Sequence, residues 1–333
     1  MAISTVEIEK FLVFKDKFSA NFCNGVNIFI GANGSGKTTL MKVMYAACKY
    51  TLNLPDENKK QMGTLDHYFD SREEIASNNG IVLVNFINSI QNEEAVYVKF
   101  FINHLNNQIA EWSFGFESPA IYIPPEDMLS HSNGFLALTN ERKMPFDQTQ
   151  IDILSKASIP ETNSITPNAE KVIDSIKTII GGNVVYESDT FYIIKESGKK
   201  VSFSFEASGF RKFGLLLKLL RNGLLENGTI LFWDEPENSL NPEILPDMVN
   251  ILLELQKNGV QIFIATHSYA LARWFELNMT NENTLKYFNM QKTENGIEYN
   301  TADMYSKLKQ SVLEDADEKL YNAVVKNGME VNG

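Results

Sequence analysis

The stretch Gly31-Ala32-Asn33-Gly34-Ser35-Gly36-Lys37-Thr38 has the spacing GxxxxGK[ST] and constrains the chain more than any other feature. It follows a short β-prone run, Val26-Asn27-Ile28-Phe29-Ile30, and precedes apolar Leu40, Val43, Met44 and Ala47 at the i, i+3, i+4, i+7 spacing of one helix face. Strand, glycine-rich turn and helix are the context in which such a sequence wraps a phosphate chain. The glycines let backbone N–H groups close around oxygens, and the helix N-terminus adds its partial positive charge. Lys37 then reaches the β- and γ-phosphates, and the Thr38 hydroxyl is placed to ligate Mg²⁺.

A second feature completes the chemistry. Ile230-Leu231-Phe232-Trp233 is an apolar strand that delivers Asp234 and Glu235 at its C-terminal end, the edge at which open α/β sheets bind ligands. Asp234 is expected in the Mg²⁺ shell, and Glu235 is expected to polarise an attacking water. One strand-helix-strand unit later, the strand over 260–265 ends in Thr266-His267-Ser268, which puts His267 near the same edge as a sensor of the γ-phosphate. Ser208, ahead of an apolar helix carrying Leu215, Leu216, Leu219 and Leu220, reads as an N-cap, and both simple capping and anion recognition are open to it. Asn241-Pro242 reads as another helix start, with Met248, Ile251, Leu252 and Leu255 along one face.

The order of elements fits this site. Helix 209–222, strand 229–233, helix 242–257, strand 260–265 and helix 268–277 alternate as in a parallel α/β sheet. Between the two motif regions, 81–88, 95–103 and 120–123 read as strands, the last stopped by Pro124 and Pro125, and 183–206 reads as three short strands. Residues 51–80 are polar and read as exposed loop or short helix, and 126–182 mix helix signals with loop chemistry. Sustained heptads are absent, which argues against a coiled-coil arm.

Composition excludes several classes. At 333 residues with 44% hydrophobic and 22% charged, the chain is an ordinary globular protein of about two domains' worth of material. Its 42 acidic against 30 basic side chains give a net charge of −12, which argues against a surface that is wholly a nucleic-acid footprint. The first residues lack a basic stretch followed by an apolar segment, and no run of about 18 apolar residues occurs, so neither export nor membrane insertion is indicated. Cys23 and Cys48 sit in no ligand spacing and read as reduced thiols of a cytoplasmic protein.

Together these residues resemble the soluble branch of the ABC-type ATPases that includes the Rad50, SMC, RecF and OLD-like proteins. GANGSGKTT, which brings in Thr39, looks like the Walker A motif, and ILFWDE looks like the Walker B with Glu235 as catalytic glutamate. Ser239-Leu240-Asn241-Pro242 looks like the D-loop, His267 like the switch histidine, and EASGFRK like a degenerate signature motif with Phe210 and Arg211 in place of Gly and Gln. More narrowly, WDEPENSLNP with ATHS and the upstream IPPEDMLS are similar to the small prokaryotic ATPases grouped as AAA15 and AAA_21. The resemblance implies a P-loop NTPase fold of ABC-ATPase type: an α/β architecture with a mostly parallel core sheet, an additional antiparallel β lobe and an inserted helical region. One ATPase domain would be built from 1–50 and 204–280, with 51–203 inserted and 281–333 as an extension.

It also implies ATP and Mg²⁺ as cofactors and a homodimer in the ATP state, with Ser208 and Gly209 of one subunit facing the nucleotide held by Asn33, Gly34, Ser35, Gly36, Lys37, Thr38 and Thr39 of the other. Catalysis would fall to Lys37, Glu235 and His267, and the metal to Thr38 and Asp234. Gln91 and Glu126 are the candidates for the glutamine-loop position, and Phe11, Phe14 and Lys15 either touch adenine or, for the two phenylalanines, pack the core. The group is linked to abortive-infection and toxin-antitoxin defence. The expected function is therefore an ATP-driven switch over a separately encoded effector, plausibly a nuclease, since no second acidic cluster of catalytic form follows His267. The alternatives are a DNA-repair or chromosome-maintenance ATPase that clamps DNA, an ATP-binding scaffold with little hydrolysis, and the energising subunit of a transporter.

Overall fold

The computed structural model describes residues 1–52, 80–87, 96–102, 109–112, 118–135 and 146–309, with single positions outside these ranges. Strands and helices are numbered in chain order. Four apolar segments, Val26–Ile30 (β3), Ala120–Ile123 (β7), Ile230–Asp234 (β11) and Gln261–Thr266 (β12), run parallel and are buried along their whole length. Continuous apolar strands of this kind belong in a sheet covered on both faces. Leu285–Thr293 (β13) adds a further parallel strand beside β3, and Gly296–Ala302 (β14) closes that edge antiparallel, giving the order β14-β13-β3-β12-β11-β7. The sheet thus takes β7 from within 51–203 and β13 and β14 from 281–333, alongside strands of 1–50 and 204–280.

Alternate residues of these strands feed two cores. Ile28, Ile30, Leu231, Trp233, Ile262 and Ile264 face a helical layer made of Gln148–Ser158 (α2), Pro167–Ile180 (α3), Ser208–Arg221 (α4), Leu245–Lys257 (α5) and Tyr269–Asn278 (α6). Phe29, Phe232, Phe263 and Phe288 face the other side, where Lys37–Leu52 (α1) packs together with a second sheet. Phe232 and Phe263 lie stacked with ring centroids 5.1 Å apart. Each large buried aromatic side chain removes about 150–250 Å² from water, and this term dominates such a core.

The second sheet is antiparallel and has the order β2-β1-β4-β5-β6. Its strands are Ala2–Glu9 (β1), Phe18–Asn21 (β2), Gly80–Ile87 (β4), Val96–Ile102 (β5) and Ile109–Trp112 (β6). A third, small sheet, Gly182–Glu187 (β8), Thr190–Lys195 (β9) and Lys200–Ser202 (β10), holds the three short strands expected there. A buried glutamine stitches the first two sheets together. Gln261, 3% exposed, accepts from the Ile3 N–H and donates to the carbonyls of Ile3 and Cys23, all within 2.8–2.9 Å, in the manner of a strand pairing.

Local chemistry sets the helix limits. Thr166 caps α3 by accepting from the Ala169 N–H, Pro167 follows at its start, and Gly181 ends it at φ 61°. The helix expected to begin at Pro242 starts instead as a 3₁₀ turn over Pro242–Ile244, capped by Asn241, and becomes α-helical at Leu245. Most of 51–80 lies outside the described residues. Among the described residues no helix is long and apolar enough to cross a membrane.

Candidate active site

Parallel register brings the ends of β3, β11 and β12 to one edge. Asp234 pairs with Ala265, and Thr266 pairs with Ile30, so the turns that follow these three strands converge. Gly31 leaves β3 at φ 149°, so close to β13 that a Cβ there would sit 2.2 Å from the Met290 carbonyl oxygen. Gly36 stands at φ 86°, with Val13 and Phe14 packed where its side chain would lie. The loop turns at these glycines, and the first amides of α1 have no partner within the helix.

Lys37 folds back on the loop. Its ammonium donates to the carbonyls of Gly31 at 2.8 Å and Ala32 at 3.1 Å, and lies 3.4 Å from Ser35 Oγ. Burial lowers the Lys37 pKa, and the carboxylates of Asp234, Glu235 and Glu237 oppose that shift. Ser35 is buried, Asn33, Gly34 and Thr38 are exposed, and Thr39 is half-buried.

Thr38 Oγ1 donates to Asp234 Oδ2 at 2.7 Å, and Tyr122 Oη donates to the same oxygen at 3.2 Å. Asp234 is only 2% exposed, and burial pushes its carboxyl up to about 6, against the two hydrogen bonds that favour the ionised form. A buried carboxylate next to an exposed hydroxyl fits a hard divalent cation. Among the described residues no group of three or more His, Cys, Asp and Glu converges as a cage, so most ligands of such an ion would come from phosphate and water.

The turn after β11 carries two more carboxylates. Glu235 has φ 50°, its N–H donates to the Ala265 carbonyl at 2.9 Å, and its Oε1 stands 3.3 Å from His267 Nδ1. Left-handed backbone at a non-glycine residue is costly and recurs where a side chain must be aimed. Glu237, which the sequence reading did not single out, turns the other way and accepts from Thr266 Oγ1 at 2.5 Å and from the His267 N–H at 3.3 Å. Lys212 also went unremarked as a site residue. It reaches from α4 and donates to the carbonyls of Glu235 at 3.2 Å and Pro236 at 2.9 Å, and burial lowers its pKa to about 8.

Ser208 does not cap α4. It is the first helical residue, Ala207 holds the cap position, and the Ser208 hydroxyl donates instead to the Ser239 carbonyl at 2.6 Å. Gly209 lies against the 239–244 loop, where a Cβ would meet Ile244 Cδ1 at 2.8 Å. Arg211 pairs with Asp127 at 2.9 Å. Glu126 accepts from Gln150 at 3.4 Å, and Gln91 lies outside the described residues. Phe11 and Phe14 are core residues, each 1% exposed or less, and Lys15 is exposed.

Residues 1–196 match the family described as AAA ATPase domain. The chain belongs to that family. Residues 121–273 of this AAA ATPase also match an AAA-domain family whose description names the AbiEii toxin and type IV toxin–antitoxin systems. Its fold is that of SMC heads. An SMC head crystallised with the C-terminal winged-helix domain of ScpA superposes with TM-score 0.58 at 10% identity, covering 92% of this chain and 99% of the other. The SMC head of Thermotoga maritima gives 0.51 at 14% identity, covering 91% and 100%. The Pyrococcus furiosus SMC head, with an extended coiled coil and bound to the C-terminal domain of ScpA, gives 0.52 at 11%, covering 97% and 99%. No curated protein matches. The AAA ATPase thus pairs a nucleotide-hydrolysing family with an ABC-type fold, the α/β class that its sequence motifs imply.

Proposed function

We propose that this ATPase is a Mg²⁺-dependent switch that dimerises around ATP and controls a separately encoded effector, a nuclease in the first instance, in cytoplasmic toxin–antitoxin or anti-phage defence. The observation that carries the hydrolytic part is the convergence of Thr38, Asp234, Glu235 and His267 on the sheet edge beside the phosphate loop. The family description naming a type IV toxin–antitoxin system supports the defence part.

Each residue has a definite task in this reading. The loop amides of Asn33, Gly34, Ser35 and Gly36, with Thr39, cradle the phosphates, and Lys37 leaves its carbonyl partners to meet the β- and γ-oxygens. Thr38 and Asp234 hold the ion, and Mg²⁺ when bound neutralises charge on the transferred phosphoryl group. Glu235 accepts the proton of the attacking water, and His267 faces the γ-phosphate from beside it. Ser208 and Gly209 serve the nucleotide of a second copy, which requires the Ser208 hydroxyl to let go of Ser239.

The deciding experiment is light scattering on Glu235→Gln with ATP, with ADP and without nucleotide, beside wild-type hydrolysis. ATP alone is expected to double the mass of the variant, and the wild type to turn over. A monomer under every condition, without turnover, would overturn the clamp. Dimerisation without wild-type turnover would leave an ATP-binding scaffold.

A further inference from the structure

We propose that Glu237 is a positioning residue that holds His267 against Glu235, a role that rests on the reading of His267 as the γ-phosphate sensor. The two glutamates that flank Pro236 do opposite things. Glu235 points its carboxylate toward the imidazole, whereas Glu237 turns back to grip the peptide that bears that imidazole.

The grip is continuous over three residues. Glu237 Oε1 accepts from the Thr266 hydroxyl at 2.5 Å and from the His267 N–H at 3.3 Å. The Ser268 N–H donates to the same Thr266 hydroxyl at 2.9 Å, and Ser268 Oγ caps α6 by accepting from Leu271 N–H at 3.2 Å. Thr266 is fully buried at the end of β12, and the imidazole beyond it is 46% exposed. A ring that open to solvent keeps its place only if its backbone is fixed, and the fixed point is one carboxylate oxygen on the neighbouring strand's turn. The other oxygen, Oε2, is buried with no hydrogen-bond partner among the described residues, and its charge acts on the ammonium groups of Lys37 and Lys212.

Anchoring needs an acceptor, and a glutamine supplies one. Glu237→Ala is therefore expected to lower kcat about 100-fold with the KM for ATP nearly unchanged, since a small misplacement of a reacting group costs about that much. Glu237→Gln is expected to restore kcat to within a few-fold, roughly. A second readout is independent of turnover. The His267 ring resonances, assigned with His267→Gln among the four histidines of the chain, are expected to shift and broaden in Glu237→Ala and to stay in place in Glu237→Gln.

Full kcat in Glu237→Ala, equal losses in both variants, or unmoved ring resonances would each overturn the inference. If His267→Gln turns over like the wild type, the sensor reading falls and this role falls with it. If His267→Gln is inactive while Glu237→Ala is active, only the role of Glu237 is lost.

Discussion

The hydroxyl of Thr38 donates to Oδ2 of Asp234 at 2.7 Å, joining the first turn of α1 to the end of β11 across 196 residues of chain. That carboxylate is buried, and burial disfavours its charge. Its pKa is raised from 3.8 to about 6, chiefly by burial. Below 3.8 it is neutral whether the chain is folded or not. As pH rises from there to about 6 only the unfolded chain ionises freely, so stability falls, and above that range the full penalty of about 3 kcal/mol applies. Asp234→Asn is therefore expected to melt above the wild type at about pH 8 without nucleotide, with the gap closing toward about pH 4, and to lose hydrolysis. Thermal unfolding across pH checks this; a wild type at least as stable as the variant at the alkaline end would contradict it.

Tyr122 donates to the same oxygen from the neighbouring strand, and its ring stacks on Phe232 with an interplanar angle of 18°. Tyr122→Phe keeps the ring and removes one donor from a charged acceptor. The Mg²⁺ concentration for half-maximal turnover is expected to rise about tenfold, the worth of one such hydrogen bond. A Mg²⁺ titration of both turnover and ATP-induced thermal shift measures it, and an unchanged midpoint would remove Tyr122 from the site.

Lys212 spends a buried ammonium on two carbonyls of the turn that carries Glu235. Because burial lowers its pKa to about 8, the folded state disfavours its charge, and the protein gains stability as pH rises from there toward the ordinary lysine value. Lys212→Met is expected to abolish that gain and to lower kcat about tenfold through the loosened turn. Alkaline melting curves and steady-state kinetics test the two halves separately.

Gln261→Leu is expected to be among the most destabilising single changes outside the site. It leaves the Ile3 N–H and the carbonyls of Ile3 and Cys23 without their partner, at a cost of about 2–4 kcal/mol. Denaturant unfolding would show it as a lower midpoint with an unchanged slope.

The phosphate loop was legible in sequence because its chemistry is contiguous: glycines, lysine and hydroxyl follow one another between a strand and a helix. Asp234, Glu235 and His267 were legible because each ends an apolar strand, and strand ends share an edge. Tyr122, Lys212 and Glu237 left no such signal. Tyr122 sits inside a strand that reads as core, Lys212 inside a helix, and Glu237 differs from any turn glutamate only by what β12 brings beside it. Ser208 was misread as a cap by one residue, because its hydroxyl is claimed by Ser239, a contact no local pattern contains. The antiparallel sheet pairs β1 with β4, residues 2–9 with 80–87, so its order was out of reach of periodicity.

β12 is clamped at both ends. Gln261 at its start is bound to the first strand of the antiparallel sheet, and Thr266 at its finish is bound to Glu237. From one to the other the strand is six residues of buried, paired backbone, about 20 Å of extended chain with little give. Such a strand behaves as a connecting rod. Tension applied to the N-terminal sheet, by whatever grips its outer surface, would be delivered lengthwise to the imidazole at the far end, without passing through a loop that could absorb it.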